Sequence, residues 1–170
     1  MNVLILAAGR GSRLKSNTDN KPKCLNTIKG FSLLDWQLTV LRKKFKNIFL
    51  VRGYLGERFT KQNVKYIDNS FWKTSNMVNS FFISVNSIMN QKTLITYSDI
   101  IYGPEIIEKI LETNDDITIT YDTQWFDLWN ERFDNPLKDA ESFMVDNNGY
   151  LTEIGEKNTN YSKIQGQFMG

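Results

Sequence analysis

The chain has 170 residues and a formal net charge of +2, with one cysteine and no histidine. This length suits one domain that buries roughly 70% of its unfolded surface, and the charge is too small to indicate a nucleic-acid partner. The missing imidazole excludes Ser-His-Asp and Cys-His triads, histidine zinc sites and histidine acid-base chemistry. Any catalysis by this chain therefore depends on carboxylates, cations and backbone groups.

The apolar segments are too short for a membrane helix or a secretion signal. No run approaches the roughly 18 residues that a membrane helix needs, and the N-terminal run from Val3 to Ala8 ends at once in Gly9. Cys24 cannot form an internal disulfide and is interpreted as a small packed residue, which fits a reducing compartment. We expect a cytoplasmic protein with no membrane partner.

Strand and helix patterns alternate from the N-terminus onward. The first predicted helix begins with a capping box, in which Asp35 follows Ser32 by three residues. Strands that alternate with helices of about ten or more residues predict an α/β fold, a Rossmann-like three-layer sandwich whose mostly parallel mixed sheet is covered on both faces. The strands are predicted at 2–6, 47–52, 64–67, 93–97 and 116–122, and the helices at 32–45, at 76–89 and from Pro104.

Each predicted helix carries apolar residues at helical spacing. Such a stripe normally faces the core, so we expect the three stripes to pack on the sheet. Their members are Leu34, Leu38, Leu41 and Phe45 in the first helix, Val78, Phe82, Val85 and Met89 in the second, and Ile106, Ile107, Ile110 and Leu111 in the third.

The pattern changes from Phe143 onward. Two β-rich runs in SFMVDNNGYLTEIG flank Asn148 and Gly149, which predicts a β-hairpin. The sequence then stops at IQGQFMG, which has the character of another strand. Since an intact domain rarely stops within a strand, we expect residues 1–170 to be a single domain that is truncated at its C-terminus.

The N-terminal stretch LAAGRGSRLKSNTDNKPKCL combines two glycines with several basic residues. A dinucleotide fingerprint would need a third glycine where Leu14 stands and an acidic residue in place of Arg52 at the end of the next strand, and no P-loop string occurs. What remains is a strand that runs into a glycine-bearing loop, whose N–H groups can approach an anion. Arg13 and Lys23 would meet the same phosphates through charge-assisted hydrogen bonds.

LAAGRGSRL followed by KPKCL closely resembles the N-terminal signature of the nucleotidyltransferases that make nucleoside-diphosphate sugars and alcohols from nucleoside triphosphates. The resemblance implies that Arg13 and Lys23 are catalytic, with Lys23 at the α-phosphate or the acceptor phosphate. It also implies that Asp99, which closes the strand in TYSDI, binds Mg²⁺; a helix or turn cap is the structural alternative for this residue. The residues predicted to contact the nucleotide are Leu6, Ala7, Ala8, Gly9, Arg10, Gly11, Ser12, Asn79, Ser80 and Tyr97.

Within that family, the chain is similar to the small cytidylyltransferases that act on phosphocholine, 2-aminoethylphosphonate and related compounds. TSNMVNSFF resembles their segment near the pyrimidine, which makes Asn79 and Ser80 candidates for the base or ribose; both could equally form a polar helix face. The region from 121 to 158 resembles the acceptor region. Its matching positions, predicted to bind the acceptor, are Asp122, Trp125, Trp129, Arg132, Glu153 and Lys157.

The acceptor region leaves two interpretations open. Trp125 and Trp129 lie four residues apart, so a helix would place both indoles on one face, where they could hold a cationic head group. They could equally be core aromatics. Arg132 could clamp the acceptor phosphate in a bidentate pair or form a surface ion pair with Asp127 or Asp134.

The chemistry that the resemblance implies is a single in-line displacement. An oxygen of the acceptor phosphate or phosphonate attacks the α-phosphorus of CTP and pyrophosphate leaves, while Mg²⁺, Lys23 and Arg13 neutralise charge. The second pKa of a phosphate monoester is near about 6, so the attacking oxygen is already ionised and no general base is needed. We expect a second acidic metal ligand downstream of residue 170, and a role in making precursors of cell-surface polysaccharide or lipid.

Two alternatives to CMP transfer stay open at this point. One is a sugar-1-phosphate nucleotidyltransferase that uses UTP or dTTP, and the other is a nucleotide-binding module without catalytic activity. The expected partners are a nucleoside triphosphate and a small phosphorylated metabolite, and no heptad pattern indicates an oligomeric state.

Overall fold

The computed structural model describes residues 1–157 and 159–169, which form two compact units, Met1–Thr113 and Asn114–Gly170. This division does not test the prediction of a single domain, which stays a prediction. Gly170, the last residue of the predicted C-terminal strand, lies outside the described residues.

The first unit is a parallel sheet between helices. Its four central strands lie in the order β5-β4-β1-β6, and every pair is parallel. Asn2 of β1 is in register with Asn47 of β4 and Thr93 of β6. The elements are β1 (Asn2–Ala7), β2 (Thr27–Ile28), β3 (Phe31–Ser32), α1 (Leu33–Leu41), β4 (Asn47–Arg52), β5 (Lys65–Asp68), α2 (Met77–Ile88), β6 (Thr93–Tyr97) and α3 (Pro104–Glu112), with 3-10 turns at Ser12–Thr18, Lys23–Leu25 and Gly56–Arg58.

Helices cover both faces of this sheet, as the sequence predicts. On one face the buried side chains of α1, together with Ile107 of α3, pack on the inward residues of β1 and β4. On the other face Ile88 of α2 packs on Leu4, Phe49 and Val51. Because continuous apolar strands need cover on both sides, the three layers follow directly from their composition.

Helix α1 confirms its predicted start and its predicted buried face. The Ser32 hydroxyl accepts the Asp35 N–H at 3.1 Å, and the Asp35 carboxylate accepts the Ser32 N–H, so the capping box is complete. The helix ends at Leu41, earlier than predicted. All four stripe residues are nevertheless buried, Phe45 on the turn that follows the helix.

Helix α2 buries a different face from the one predicted. Val78, Phe82 and Met89 are each more than half exposed, whereas Ser80, Ser84 and Ile88 are buried. The Ser80 hydroxyl accepts a hydrogen bond from buried Asn69, and the Ser84 hydroxyl donates to the carbonyl of Phe81 at 2.6 Å. The prediction was wrong because small, satisfied hydroxyl residues let the helix lie close to the sheet, and hydropathy alone ranks them as exposed.

Helix α3 confirms its stripe only in part. Ile107 is buried and Leu111 is exposed, which is what a helix at the margin of the core shows. No helix in the described part of the chain is long and apolar enough to cross a bilayer.

The second unit is built from short elements around a small aromatic core. The predicted hairpin is confirmed: β8 and β9 are antiparallel, and Gly149 has a φ of +84° in the turn. The strand predicted at 116–122 is wrong except at its last two residues, because ladder pairing among the described residues begins only at Tyr121. The elements are β7 (Tyr121–Asp122), α4 (Trp125–Arg132), β8 (Phe143–Val145), β9 (Leu151–Ile154) and β10 (Gln167–Phe168), with 3-10 turns at Pro136–Lys138 and Tyr161–Lys163.

Antiparallel pairing in this chain occurs outside the central sheet. β2 pairs with β3, β7 with β10, and β8 with β9, each as a separate two-stranded sheet. The four-stranded sheet of the first unit is therefore parallel throughout the described residues. The antiparallel pairing expected alongside it is found in the three two-stranded sheets.

Candidate functional site

The carboxyl ends of the parallel strands carry most of the predicted site residues of the first unit. β1 ends at Ala7 and β6 at Tyr97, and Leu6 is in register with Tyr97. The loops that follow these two strands therefore begin side by side at one edge of the sheet. Open α/β sheets bind their ligands at this edge.

Gly11 allows the loop after β1 to touch the segment that carries Lys23. Its φ is +69°, and a Cβ on Gly11 would lie 2.8 Å from the Cβ of Lys23, closer than such atoms come in proteins. A side chain at position 11 would thus push the two segments apart. A Cβ added to Gly9 would meet no atom within 4 Å, so the surroundings of Gly9 are open.

Lys23 and Asp99 form an ion pair at this edge. The Lys23 Nζ donates to Oδ2 of Asp99, across a separation of 76 residues in the chain. Their side chains are 37% and 31% exposed, so a ligand can reach both. The structure thus brings together the predicted phosphate-binding cation and the predicted metal ligand.

The two arginines of the loop have different surroundings. Arg13 is exposed, as a cation available to a ligand would be. Arg10 pairs with Asp19 at 3.1 Å, and its guanidinium lies 5.5 Å from the ring centroid of Tyr54. Ser12 is exposed, whereas Ala7 and Ala8 are buried and present mainly their backbone.

Tyr54 supports the loop, although no motif in the sequence marks it. Its N–H donates to the carbonyl of Ala8 at 2.9 Å, and its hydroxyl donates to the carbonyl of Thr18 at 2.8 Å. The residue therefore holds both ends of the loop after β1. Its position just after Gly53, at the end of β4, was the signal that could have found it.

The residues predicted to meet the base lie around the first turn of α2. Asn76 caps this helix by accepting the N–H of Asn79, whose side chain is exposed. Ser80 is buried, and its hydroxyl accepts from Asn69 at 3.0 Å. Of the predicted pair, Asn79 is the residue with a side chain free to reach solvent, while the Ser80 hydroxyl is used inside the fold.

Tyr97 links β6 to α2. Its hydroxyl lies 3.0 Å from Sδ of Met77, in the first turn of the helix. Tyr97 is half-buried at the same edge as Asp99. This position suits the predicted contact with a nucleotide.

Cys24 packs beside the ion pair as an inert thiol. It is buried, and burial raises the pKa of its thiol to about 12, although a hydrogen bond with Ser98 acts in the opposite direction. At neutral pH the thiol is protonated, so it supplies neither a nucleophile nor a metal-binding thiolate. Its interpretation as a packed residue agrees with this burial.

The two tryptophans of the second unit belong to its core. Trp125 and Trp129 are 4% and 7% exposed, with ring centroids 6.0 Å apart. The guanidinium of Arg132 lies 5.3 Å from the ring centroid of Trp129. Burial and this cation-π contact favour the core interpretation of the indoles, and their predicted contact with an acceptor stays a prediction.

The other predicted acceptor residues have partners within the second unit. Asp122 accepts the Gln124 N–H at 2.8 Å, and Lys157 pairs with Glu141 at 2.6 Å. A hydrogen bond with Ser142, together with Lys163, lowers the pKa of Glu153. These contacts describe local order and leave the roles of the three residues as predictions.

Known proteins are similar to this chain in sequence and in fold. A family model described as the MobA-like NTP transferase domain matches residues 3–138. The CTP:phosphoglutamine cytidylyltransferase of Campylobacter jejuni is 35% identical over 181 residues, an alignment that covers 100% of this chain and 71% of that protein. The choline-phosphate cytidylyltransferase of Haemophilus influenzae is 40% identical over 89 residues, which cover 49% of this chain and 38% of that protein.

A solved structure agrees in fold. The CTP:phosphocholine cytidylyltransferase of Streptococcus pneumoniae superposes with a TM-score of 0.67 at 19% identity, covering 98% of this chain and 65% of that one. At this identity the likeness concerns the fold alone. The chain thus spans between about two fifths and seven tenths of the length of these three proteins.

Proposed function

The chain belongs to the MobA-like NTP transferase family, and from that premise we propose that it transfers CMP from CTP to the phosphate or phosphonate of a small metabolite, releasing pyrophosphate. The observation that carries this proposal is the Lys23–Asp99 pair, packed against Gly11 at the carboxyl edge of the parallel sheet. A partly exposed cation and a partly exposed carboxylate beside an N–H-rich loop are what a nucleotide-metal complex requires.

The residues of the first unit have distinct roles in this proposal. The N–H groups from Ala8 to Arg13 bind the triphosphate, and Arg13 adds charge from the exposed side of the loop. Lys23 leaves Asp99 and donates to an α-phosphate oxygen, where negative charge builds up as the acceptor oxygen attacks. Because the acceptor phosphate is ionised at neutral pH, no residue has to remove a proton.

Asp99 is the residue that would hold Mg²⁺. The described residues contain no group of three or more Cys, Asp or Glu side chains that could enclose a metal. Mg²⁺ in nucleotide sites is commonly bound by one or two carboxylates together with substrate phosphates, so one carboxylate fits once a nucleotide is present. The ion would supply neutralisation of phosphate charge, and a second acidic ligand downstream stays a prediction.

The acceptor we propose first is a phosphorylated amino-acid derivative such as phosphoglutamine, on which the 35% identical relative acts by name. Phosphocholine and aminoethylphosphonate are the next candidates. Asn79 and Tyr97 are proposed at the base and ribose, with Ser80 supporting them from within the fold. We place the reaction in the cytoplasm, in the supply of precursors for cell-surface polysaccharide or lipid.

The test is a pyrophosphate-release assay with Mg²⁺ that pairs CTP, UTP, dTTP and ATP with each of these acceptors and with glucose 1-phosphate. We expect release with CTP and one of the small acceptors. Release only with UTP or dTTP and glucose 1-phosphate would establish the sugar alternative. Thermal stabilisation by CTP with no release from any pair would establish the non-catalytic alternative.

Lys23→Ala tests the assigned site within the same assay. We expect a loss of about 10² to 10³ in kcat, the usual effect of removing one transition-state donor, with an unchanged circular dichroism spectrum. Lys43→Ala is the matched control, because it removes the same charge from an exposed position after α1. An equal rate in Lys23→Ala and wild type would refute the role of Lys23.

A further inference from the structure

Gln37 is a fully buried amide in the middle of α1. The other buried residues of this helix are leucines. Its Nε2 donates to the carbonyl of Tyr97 at 2.6 Å and to the carbonyl of Ile100 at 2.9 Å. Both amide hydrogens are therefore used, since a side-chain amide has two N–H donors.

These two carbonyls flank Asp99 on either side. β6 ends at Tyr97 and α3 begins at Pro104, so the backbone around Asp99 belongs to neither a strand nor a helix. The ladder hydrogen bonds of the sheet stop at Tyr97. Gln37 hydrogen-bonds to backbone carbonyls before and after Asp99. These bonds hold the turn where the backbone hydrogen bonds of a strand or helix are missing.

The orientation of the amide is determined by its partners. Two carbonyl oxygens can be satisfied only by the NH₂ group, which directs Oε1 away from them. Oε1 has no hydrogen-bond partner among the described residues. A buried polar atom without a partner is unfavourable, so an arrangement chosen for packing alone would favour an apolar side chain such as those around it.

We infer that Gln37 is a positioning residue for the proposed reaction: by bonding the carbonyls of Tyr97 and Ile100 it sets the direction in which the Asp99 carboxylate points. The inference rests on the proposed function of Asp99. Gln37 touches no substrate and acts only through the backbone of the turn. Displacement of a reacting group by about 1 Å can reduce a rate about 10²-fold, so this support has kinetic consequences.

A second contact acts on the same turn. The Asp99 carboxylate pairs with Lys23, while Gln37 bonds the carbonyls of Tyr97 and Ile100 on either side of Asp99. Loss of the Gln37 bonds would leave the ion pair as the contact that still orients this carboxylate.

The test compares Gln37→Met with Leu41→Ala. Met has nearly the shape of Gln and cannot donate, whereas Leu41→Ala opens the core one turn along the same helix and leaves the Gln37 bonds in place. We expect Gln37→Met to lower kcat about 10- to 100-fold, to leave KM for CTP within about threefold, and to raise the Mg²⁺ concentration for half-maximal rate. Leu41→Ala should lose at least as much in Tm and keep kcat and Mg²⁺ dependence within about twofold.

A binding measurement gives a second readout that needs no turnover. CTP should raise the Tm of wild type further when Mg²⁺ is present than when EDTA is present, and Gln37→Met should lose this Mg²⁺-dependent increment while Leu41→Ala keeps it. If Gln37→Met does not fold, Gln37→Asn takes its place; its amide is one methylene shorter and cannot reach both carbonyls. Equal losses of Tm in the Gln37 variant and Leu41→Ala, with normal kcat and normal Mg²⁺ increment, would overturn the inference.

Asp99→Asn, measured in parallel, separates this inference from the proposed function. If Asp99→Asn keeps the wild-type rate and the wild-type Mg²⁺ increment, the proposed role of Asp99 is wrong, whatever the Gln37 variants do. If Asp99→Asn loses both and the Gln37 variants lose neither, the proposed function stands and only the positioning role is refuted.

Discussion

Lys23 and Cys24 are neighbours in the chain but have different surroundings. Lys23 is partly exposed and pairs with Asp99, whereas Cys24 is buried in the hydrophobic core of the first unit. The buried side chain anchors the segment that carries the cation, which keeps the charges of the site in a defined place before any ligand binds.

The thiol of Cys24 should be nearly unreactive in the native protein. Its pKa of about 12 leaves a thiolate fraction of roughly 10⁻⁴ at pH 8. We expect labelling by Ellman's reagent at pH 8 to be at least about 100-fold slower in buffer than in denaturant. Cys24→Ser provides the blank, because the chain has one cysteine. Equal rates in buffer and denaturant would show that the thiol is exposed.

Residue identity was enough to predict the loop but not every side chain that supports it. Gly11, Arg13, Lys23 and Asp99 stand in recognisable motifs at strand ends, and the structure brings the last two into contact. Tyr54 carries no motif of its own. Its contribution depends on the loop after β1 lying over the end of β4, which is a property of the folded sheet.

Among the elements, α2 shows how two faces of one helix can compete for the core. Its sequence MVNSFFISVNSI has apolar residues on more than one face. Periodicity selected the face with Phe82, yet the helix buries the face with Ile88. Asn69, which follows β5, contributes to this outcome, because its amide donates to the buried Ser80 hydroxyl.

The rotation of α2 is testable by two truncations. Ile88→Ala should reduce the free energy of unfolding by about 2–5 kcal/mol, since it leaves a cavity beside Leu4 and Val51. Phe82→Ala should change it by about 0.5 kcal/mol or less, because Phe82 is 64% exposed. Urea denaturation of both variants measures the difference. A larger loss for Phe82→Ala would mean that the predicted face is the buried one.

The predicted strand at 116–122 failed for a different reason. The alternation in DITITYD is a good strand pattern, but a strand also needs a neighbour with which to pair. In the described chain only Tyr121 and Asp122 find one, in β10. A local pattern of alternating residues shows that a segment can form a strand. The strand forms only where another part of the folded chain pairs with it.

For the whole molecule, residues 113–120, which run from the last residue of the first unit into the second, form a segment open to a protease. Residues 113–120 contain no helix or strand, and Ile117 is 85% exposed. Proteases cleave preferentially at exposed backbone outside regular elements.

Limited thermolysin digestion should therefore cut first next to Ile117. We expect two early fragments whose masses correspond to residues 1–116 and 117–170, identified by mass spectrometry. Ile117→Ser should slow this cut, since thermolysin prefers a large apolar residue after the scissile bond. An early cut within β1, β4 or β6 would contradict the description of the first unit as compact.

The sequence by itself determined the kind of sheet, the glycine loop and the candidate phosphate-binding cations of this protein. Those features are local: an unbroken apolar run of five or six residues, a glycine where φ must be positive, and basic residues beside it are all visible within about ten positions. Only the tertiary structure decided that Lys23 meets Asp99, that Gln37 bonds both sides of Asp99, and which face of α2 is buried. These outcomes depend on contacts between residues far apart in the chain, which exist only after helices and strands have packed and buried polar groups have found their partners.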